Sequence, residues 1–330
     1  MTSISQDFAP PFKLVAPYFI VGLLSFLMTN ILLFTIDVKD LFHLNPLILS
    51  WVHLFLLGFV MMIIFGAMAQ LIPVTLEVGH FSIEFYYIIW PLLIVGTLLM
   101  AIGFYFNPLL LPYSGVIVLI SMFIFLVEIF LTLKKVKKFN NIIKSLLISN
   151  IFLFIGICIG ITLALTYAGA IQTDINALLK THVYLLVAGY ICITIMALSM
   201  VLLPMFGLSH NFSQKPLNYS IIIMSVAVCL VFIANIININ FLNEIGYILS
   251  AVSMFIYFYQ IYLIYKTRAR KEHDIYILNL FYSFASLAVA IVLGIFYLLT
   301  EMEVFLLSSA WLFFMGFFSF IIIGHIYKIV

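Results

Sequence analysis

The sequence predicts an all-α, polytopic transmembrane helix bundle of about ten helices, and three observations lead to this fold class. Hydrophobic residues make up 66% of the 330 residues, charged residues make up 8%, and the mean hydropathy is +1.30. The apolar residues form continuous stretches of roughly the 20 residues that a helix needs to cross a bilayer. They do not alternate with polar residues as in a membrane β-barrel. Helices, which satisfy their own backbone hydrogen bonds in lipid, are therefore expected.

The expected spans follow the apolar runs and the polar turns between them. They cover residues 14–36, 47–75, 84–105, 109–133, 143–168, 175–206, 217–238, 243–266, 276–299 and 304–330. Residues 1–13 form a short polar segment without the basic start and short apolar core of a secretory signal. Residues 14–330 are expected to form a single transmembrane domain.

The charged loop residues predict an orientation in the membrane. Positive charges concentrate after the fourth and eighth spans: Lys134, Lys135, Lys137, Lys138 and Lys144, then Lys266, Arg268, Arg270 and Lys271. The opposite loops are mainly acidic, with Asp37, Asp40, Asp174, Glu244, Glu301 and Glu303 against Lys39 and Lys180. Because basic loops stay on the cytoplasmic side, both termini are expected in the cytoplasm of a cell that carries this protein in its inner (plasma) membrane. No basic-aromatic stretch indicates nucleic acid, so the lipid bilayer is the expected partner.

An internal repeat relates the second, sixth and tenth spans. Residues 49–73 align without a gap to the stretch from Leu307, so that Gly58 matches Gly316 and Gly66 matches Gly324. The sixth span has the same order of a histidine, a glycine and a proline. Spans four apart predict repeated four-helix arcs, with units at about 14–133, 143–266 and 276–330. The alternative is coincidence, because apolar helices of simple composition align easily.

Two intramembrane histidines are the main candidates for chemistry. His53 lies seven residues after Pro46 and His182 lies eight residues after Asp174, which places both in the outer half of the membrane. Two neutral imidazoles at similar depth on different helices are what haem ligation by two histidines requires. Gly58 and Gly189 are expected to leave room for the porphyrin. The alternative is that each histidine only forms a hydrogen bond to a neighbouring helix.

The remaining titratable groups carry further hypotheses. His210 and His325 are additional candidates for metal or haem contacts, although a solvated loop position for His210 and an interfacial anchor role for His325 are favoured. His80 occupies the loop equivalent to that of His210, and it is likewise a candidate for a metal or haem propionate contact, with a solvated loop position favoured. His43 and His273 are interpreted as ordinary loop residues. Glu128 is the carboxylate deepest in an apolar run, and it is interpreted as interfacial rather than as part of a proton relay. The three cysteines form no metal or disulfide motif.

At these residues the chain resembles the haem–copper oxidase subunit I superfamily, and in pattern it is most similar to NnrS-type haem- and copper-containing membrane proteins. The resemblance lies in Trp51–Phe55 followed by Gly58-Phe59, in His182 near the start of a helix that ends at Gly207–Asn211, and in Pro11–Lys13 before the first helix. It implies a haem b cofactor, with copper as a further candidate. A complete terminal oxidase is not expected, because the tenth span lacks a His-x-His pair and the seventh lacks histidine.

The sequence therefore predicts an integral membrane haem protein with His53 and His182 as iron ligands. Electron transfer between membrane redox partners and handling of a diatomic gas such as nitric oxide are the expected roles. A secondary transporter is the alternative from a different class, since transporters also contain repeats and interrupted helices. A non-catalytic or assembly subunit of an oxidase complex is the third interpretation.

Overall fold

The computed structural model describes residues 8–37, 41, 45–137 and 140–329. The model is 86% helical, and the described residues form no strands. Lys39, Asp40, His43 and Lys138, which entered the loop predictions above, lie outside these ranges. The prediction of an all-α polytopic bundle is confirmed.

Ten helices in the described ranges are long and apolar enough to cross a membrane. They are α1 (Phe12–Thr35), α2 (Pro46–Leu76), α3 (Ile83–Tyr105), α4 (Pro108–Lys134), α5 (Asn141–Tyr167), α6 (Ile175–Gly207), α7 (Lys215–Ile237), α8 (Asn240–Lys266), α9 (Ile275–Thr300) and α10 (Glu303–Ile329). Each of them overlaps one span expected from the apolar runs. The protein is therefore a multi-pass membrane protein.

Local sequence explains where several helices begin. The side chains of Asn45, Asp174 and Asp274 each accept a hydrogen bond from a backbone N–H in the first turn of α2, α6 and α9, respectively. Short polar side chains satisfy donors that have no partner within the helix. Pro46 occupies the first position of α2, where its missing N–H costs nothing. These caps fix the start of both helices that carry the candidate histidines.

The second, sixth and tenth helices share an unusual internal feature. Each contains a π-helical segment, at Leu54–Met61 in α2, Tyr184–Cys192 in α6 and Leu312–Phe318 in α10. No other π-helical segment occurs in the part of the chain that the structure describes. A π-helix is uncommon, and it often marks a functional region. The same three helices align in sequence, so the π-helical segment is a structural feature that they also share.

The pairs α1–α2 and α9–α10 also correspond in packing. A Cβ atom added to Gly66 would lie 2.6 Å from Cβ of Tyr18 on α1, and one added to Gly324 would contact Tyr276 and Asn279 on α9. Tyr18 and Tyr276 are 258 positions apart in the chain, as are the two glycines. Both tyrosines are buried. The glycines thus allow equivalent close helix contacts in the two pairs.

The chain divides into two compact units, Met1–Thr194 and Ile195–Val330. The first unit contains α1 to α5 and the first part of α6, whereas the second contains the rest of α6 and the helices through α10. This boundary lies within a helix and does not coincide with the predicted repeat boundaries. The division into three repeat units stays a prediction.

Candidate cofactor site

His53 is held by its own helix and by an aromatic ring on α3. Its Nδ1 atom lies 2.8 Å from the carbonyl oxygen of Leu49. Because a carbonyl oxygen only accepts hydrogen bonds, Nδ1 must carry the proton. In the neutral ring, Nε2 then has a free lone pair. The ring packs against Phe104 with a centroid distance of 4.9 Å, and π-helical turns begin at the next residue.

His182 has the same protonation pattern but is anchored on a different helix. Its Nδ1 atom lies 2.9 Å from the carbonyl oxygen of Gly156 on α5, so this nitrogen is also the donor. Gly160, one turn further along α5, makes room for the ring, since a Cβ atom there would lie 2.7 Å from Cε1 of His182. The lone pair of Nε2 is again left available. Gly156 and Gly160 had not been singled out in the sequence.

The structure brings His53 and His182 into the same unit, close enough that two protonated rings would repel each other. Within the described ranges, no hydrogen bond reaches Nε2 of either ring. Ligand histidines in metalloproteins commonly donate the other ring N–H to a carbonyl group, which fixes the tautomer and the ring orientation. The two side chains therefore present the form of imidazole that binds iron.

The two histidines do not occupy the same repeat position. Gly58 and Gly189 are 131 positions apart, as are Pro73 and Pro204, and this register also aligns the π-helical segments of α2 and α6. In this register His182 corresponds to Trp51 instead of His53. The difference of two residues equals about 3 Å along a helix. The pair is thus a feature of this particular chain rather than a product of strict repetition.

Gly58 and Gly189 serve helix packing. A Cβ atom on Gly58 would lie 2.9 Å from Cβ of Ser25 on α1, and one on Gly189 would lie 2.9 Å from three atoms of Phe152 on α5. The space above both glycines is therefore filled by side chains of neighbouring helices. The prediction that they leave room for a porphyrin has no support in this packing, whereas Gly160 borders the ring of His182 directly.

The two additional histidine candidates belong to the second compact unit. His210 is exposed in the loop after α6. His325 is only 9% exposed and donates Nδ1–H to the carbonyl oxygen of Ile321 at 2.6 Å. Its ring packs edge-on against Tyr276 at 5.4 Å. An interfacial anchor role therefore suits the 61% exposed Tyr327 better than His325.

A second polar cluster was not foreseen. Glu128, interpreted above as an interfacial carboxylate, is fully buried, and it contacts Nδ1 of His80 at 3.1 Å. The favoured interpretation of His80 as a solvated loop histidine is wrong, because its side chain is only 3% exposed. The two side chains are 48 positions apart, which no local sequence pattern reveals.

Among the described residues, no three His, Cys, Asp or Glu side chains come together in a group that could hold a metal ion. The candidate site thus consists of two imidazoles, a donor set that suits the axial positions of a haem better than a mononuclear copper centre. Comparison of the chain with models of known protein families and with curated proteins finds no match.

Proposed function

We propose that this protein binds one b-type haem in the membrane, with Nε2 of His53 and Nε2 of His182 as its axial ligands. The observation that carries the proposal is the shared tautomer of the two rings. Each ring donates Nδ1–H to a backbone carbonyl oxygen, and each leaves Nε2 unprotonated when neutral. Two such rings on α2 and α6, within electrostatic range of each other, form a donor set that fits haem iron.

The surroundings of the pair also suit a large apolar cofactor. Phe104 packs on the ring of His53 and, at 5.9 Å, on the ring of Tyr167. Apolar surroundings exclude water and influence the reduction potential of a bound iron. The protein's contribution would be to hold both imidazoles in place and to keep water out.

If two histidines bind the haem iron, electron transfer is the expected role of the protein. A bound haem would supply one-electron redox chemistry, and His53 and His182 would both hold its iron. Handling of nitric oxide or another gas would require one imidazole to leave. His182 is restrained against such movement by Gly156 and Gly160, and His53 by Leu49 and Phe104. Membrane redox carriers are the partners that this role implies.

The resemblance to haem–copper oxidase subunit I and to NnrS-type proteins belongs to the same proposal. It supports a haem site but not oxygen reduction, because an oxidase's second metal needs further histidines. It also supports a bacterial inner-membrane location with both termini in the cytoplasm. Single cysteines introduced at Lys135 and at Thr173 test this orientation. A membrane-impermeant thiol reagent added to intact cells should label the second cysteine and not the first.

Absorption spectroscopy of the purified protein tests haem binding. Wild-type protein from cells supplied with a haem precursor should show a Soret band, and His53→Ala or His182→Ala should remove it. His210→Ala is the matched control, because this histidine is exposed in a loop and should be dispensable. Loss of the band in all three variants, or its persistence in both ligand variants, would reject the assigned ligands.

A further inference from the structure

The second polar cluster joins the loop between α2 and α3 to the end of α4. His80 contacts Oε1 of Glu128 through Nδ1 at 3.1 Å and the carbonyl oxygen of Ala69 through Nε2 at 2.7 Å. The side chains of His80 and Glu128 are 3% and 0% exposed, respectively. Two ionisable groups are therefore buried in direct contact, and neither is one of the two proposed haem ligands.

The hydrogen bonds of His80 define how many protons the pair holds. The Ala69 carbonyl oxygen only accepts, so Nε2 of His80 carries a proton in every state that keeps this bond. One more proton must then lie between Nδ1 of His80 and Oε1 of Glu128. The pair is either an imidazolium with a carboxylate or a neutral imidazole with a carboxylic acid. Both forms have zero net charge, and they differ only in the position of that proton.

The carboxylate of Glu128 is surrounded by donors. Besides its contact with His80, Oε1 accepts from Thr132 Oγ1 at 2.8 Å and from the backbone N–H of Phe81 at 3.0 Å, and Oε2 accepts from Tyr86 Oη at 3.1 Å. Three of these four donors converge on Oε1, the oxygen that contacts His80. Among the described residues, no third His, Cys, Asp or Glu side chain joins the pair in a group that could hold a metal ion. The arrangement therefore favours a proton as the ligand of the pair.

The second half of the chain contains a position that corresponds to Glu128 but carries an uncharged side chain. Ser121 and Glu128 on α4 correspond to Ser253 and Gln260 on α8, in both cases 132 positions later. Each serine donates to a carbonyl oxygen of the preceding helix, Ile89 for Ser121 and Ser220 for Ser253.

Gln260 is also fully buried, and it also accepts a backbone N–H at the start of the preceding helix, that of Leu217 at 3.2 Å. An uncharged amide oxygen therefore occupies this acceptor position in the second helix pair, where Nε2 of the same amide is buried without a hydrogen-bond partner among the described atoms. The carboxylate of Glu128 is not required to build the helix pair, and its charge needs another explanation.

The surroundings of the pair allow its proton to leave. After His80 loses the Nδ1 proton, the carboxylate keeps its bonds from Thr132, Phe81 and Tyr86. Lys135, which is exposed, donates to the backbone oxygen of His80 at 3.0 Å and supplies a nearby positive charge. Among the described residues, Tyr86 on α3 also bonds the carboxylate, and Tyr18 on α1 and Tyr190 on α6 lie within electrostatic range of Tyr86.

We propose that His80 and Glu128 form a proton-binding site that exchanges one proton with the aqueous phase beside Lys135. In the bound state the proton is shared by Nδ1 and Oε1. On release the N–H bond of His80 breaks, its electron pair stays on Nδ1, and the proton passes to water. The net charge of the pair changes from zero to −1. Release also removes one bond that ties the α2–α3 loop to α4.

Infrared difference spectroscopy during a pH titration of the full-length protein in lipid vesicles tests this site. Wild-type protein containing isotope-labelled histidine should show one step in which a carboxylate band and an imidazole band change together. His80→Gln and Glu128→Gln should each abolish that step, and Gln260 indicates that glutamine is tolerated in this packing. Glu84→Gln is the matched control, because this carboxylate is exposed and bonded to Ser82; it should retain the step.

A variant at an exposed residue protects the test against a failure to fold. Lys135→Met removes the positive charge that stabilises the released state, so the midpoint of the step should move to higher pH. The size of this shift should decrease as the salt concentration rises, because salt screens the charge of Lys135. An unchanged midpoint in this variant would contradict the proposal. So would wild-type imidazole and carboxylate bands that both stay constant over the whole titration, since His80 and Glu128 would then hold their proton at every pH.

Discussion

His182 donates its Nδ1–H group to the carbonyl oxygen of Gly156 across 2.9 Å, so a helix other than its own orients the imidazole ring. The ring rests beside Gly160 on the same neighbouring helix, α5. His53, in contrast, donates to Leu49 within its own helix. Cofactor binding through His182 should therefore depend on residues of α5 that would not touch the iron.

Gly160→Ala should weaken haem retention while both ligands remain. The new methyl group would lie 2.7 Å from Cε1 of His182 and would displace the ring. Changes in groups that orient a ligand typically reduce metal affinity about 10–100-fold. The dissociation rate of haem to an apoprotein scavenger measures the effect. Gly115→Ala is the control, because its nearest contact of 3.7 Å is ordinary; equal retention in both variants would show that α5 does not position the ring.

Gly66→Ala should destabilise the packing of α2 on α1. The added Cβ atom would lie 2.6 Å from Cβ of Tyr18, which is itself buried and linked to the backbone oxygen of Tyr86. Overpacking of this kind typically costs about 1–3 kcal/mol in the free energy of unfolding. Denaturation in mixed micelles provides the measurement. Gly79→Ala should be close to neutral, because no atom lies within 4 Å of its added Cβ.

Ser253→Ala should reduce stability by a smaller amount. Its hydroxyl group donates to the backbone oxygen of Ser220 on α7 at 2.7 Å. Interhelical hydrogen bonds in membrane proteins contribute about 0.6 kcal/mol on average. Ser225→Ala removes a hydroxyl group that bonds only the carbonyl oxygen of Ile221 in its own helix. A loss in Ser225→Ala that equals the loss in Ser253→Ala would argue against a specific α7–α8 contribution.

Asp274→Asn should change the pH dependence of the free energy of unfolding in the acid range. The hydrogen bond from Lys328, at 2.6 Å, holds the pKa of Asp274 below its usual value. A lowered pKa in the folded state stabilises the protein above the usual carboxyl pKa, and this contribution is lost as the pH falls through the lowered value. The partly exposed ion pair should contribute about 1 kcal/mol or less.

Asparagine can still cap α9 in place of the Asp274 oxygen that accepts from Ile277. The variant should therefore fold and lose only this part of the acid dependence. Thermal unfolding of both proteins across the acid range provides the comparison. Parallel curves for wild type and variant at every pH would show that the Asp274–Lys328 pair contributes nothing measurable.

The number and positions of the helices could be predicted because a bilayer imposes both length and apolarity on each span. The π-helical segments could not, since one additional residue per turn leaves the apolar composition of Leu54–Met61 or Leu312–Phe318 unchanged. The packing roles of the glycines could not be predicted from the sequence either. The sequence shows Gly58 and Gly160, but only the fold shows that the first meets Ser25 and the second meets His182.

The candidate ligands could be found from the sequence because an imidazole within an apolar span is costly and therefore conspicuous. Their tautomers could not be found, because they depend on the carbonyl groups of Leu49 and Gly156 in the folded state. Glu128 was misplaced for a similar reason. Its position six residues before Lys134 suggests an interface, whereas packing of the α2–α3 loop buries it against His80.

Quantification of haem per polypeptide by the pyridine haemochrome assay tests the central claim most directly. The purified wild-type protein is predicted to contain about one b-type haem per chain, and His53→Ala and His182→Ala proteins are predicted to contain none while remaining folded. A colourless wild-type protein, obtained from cells with ample haem, would contradict the claim that these two imidazoles bind iron.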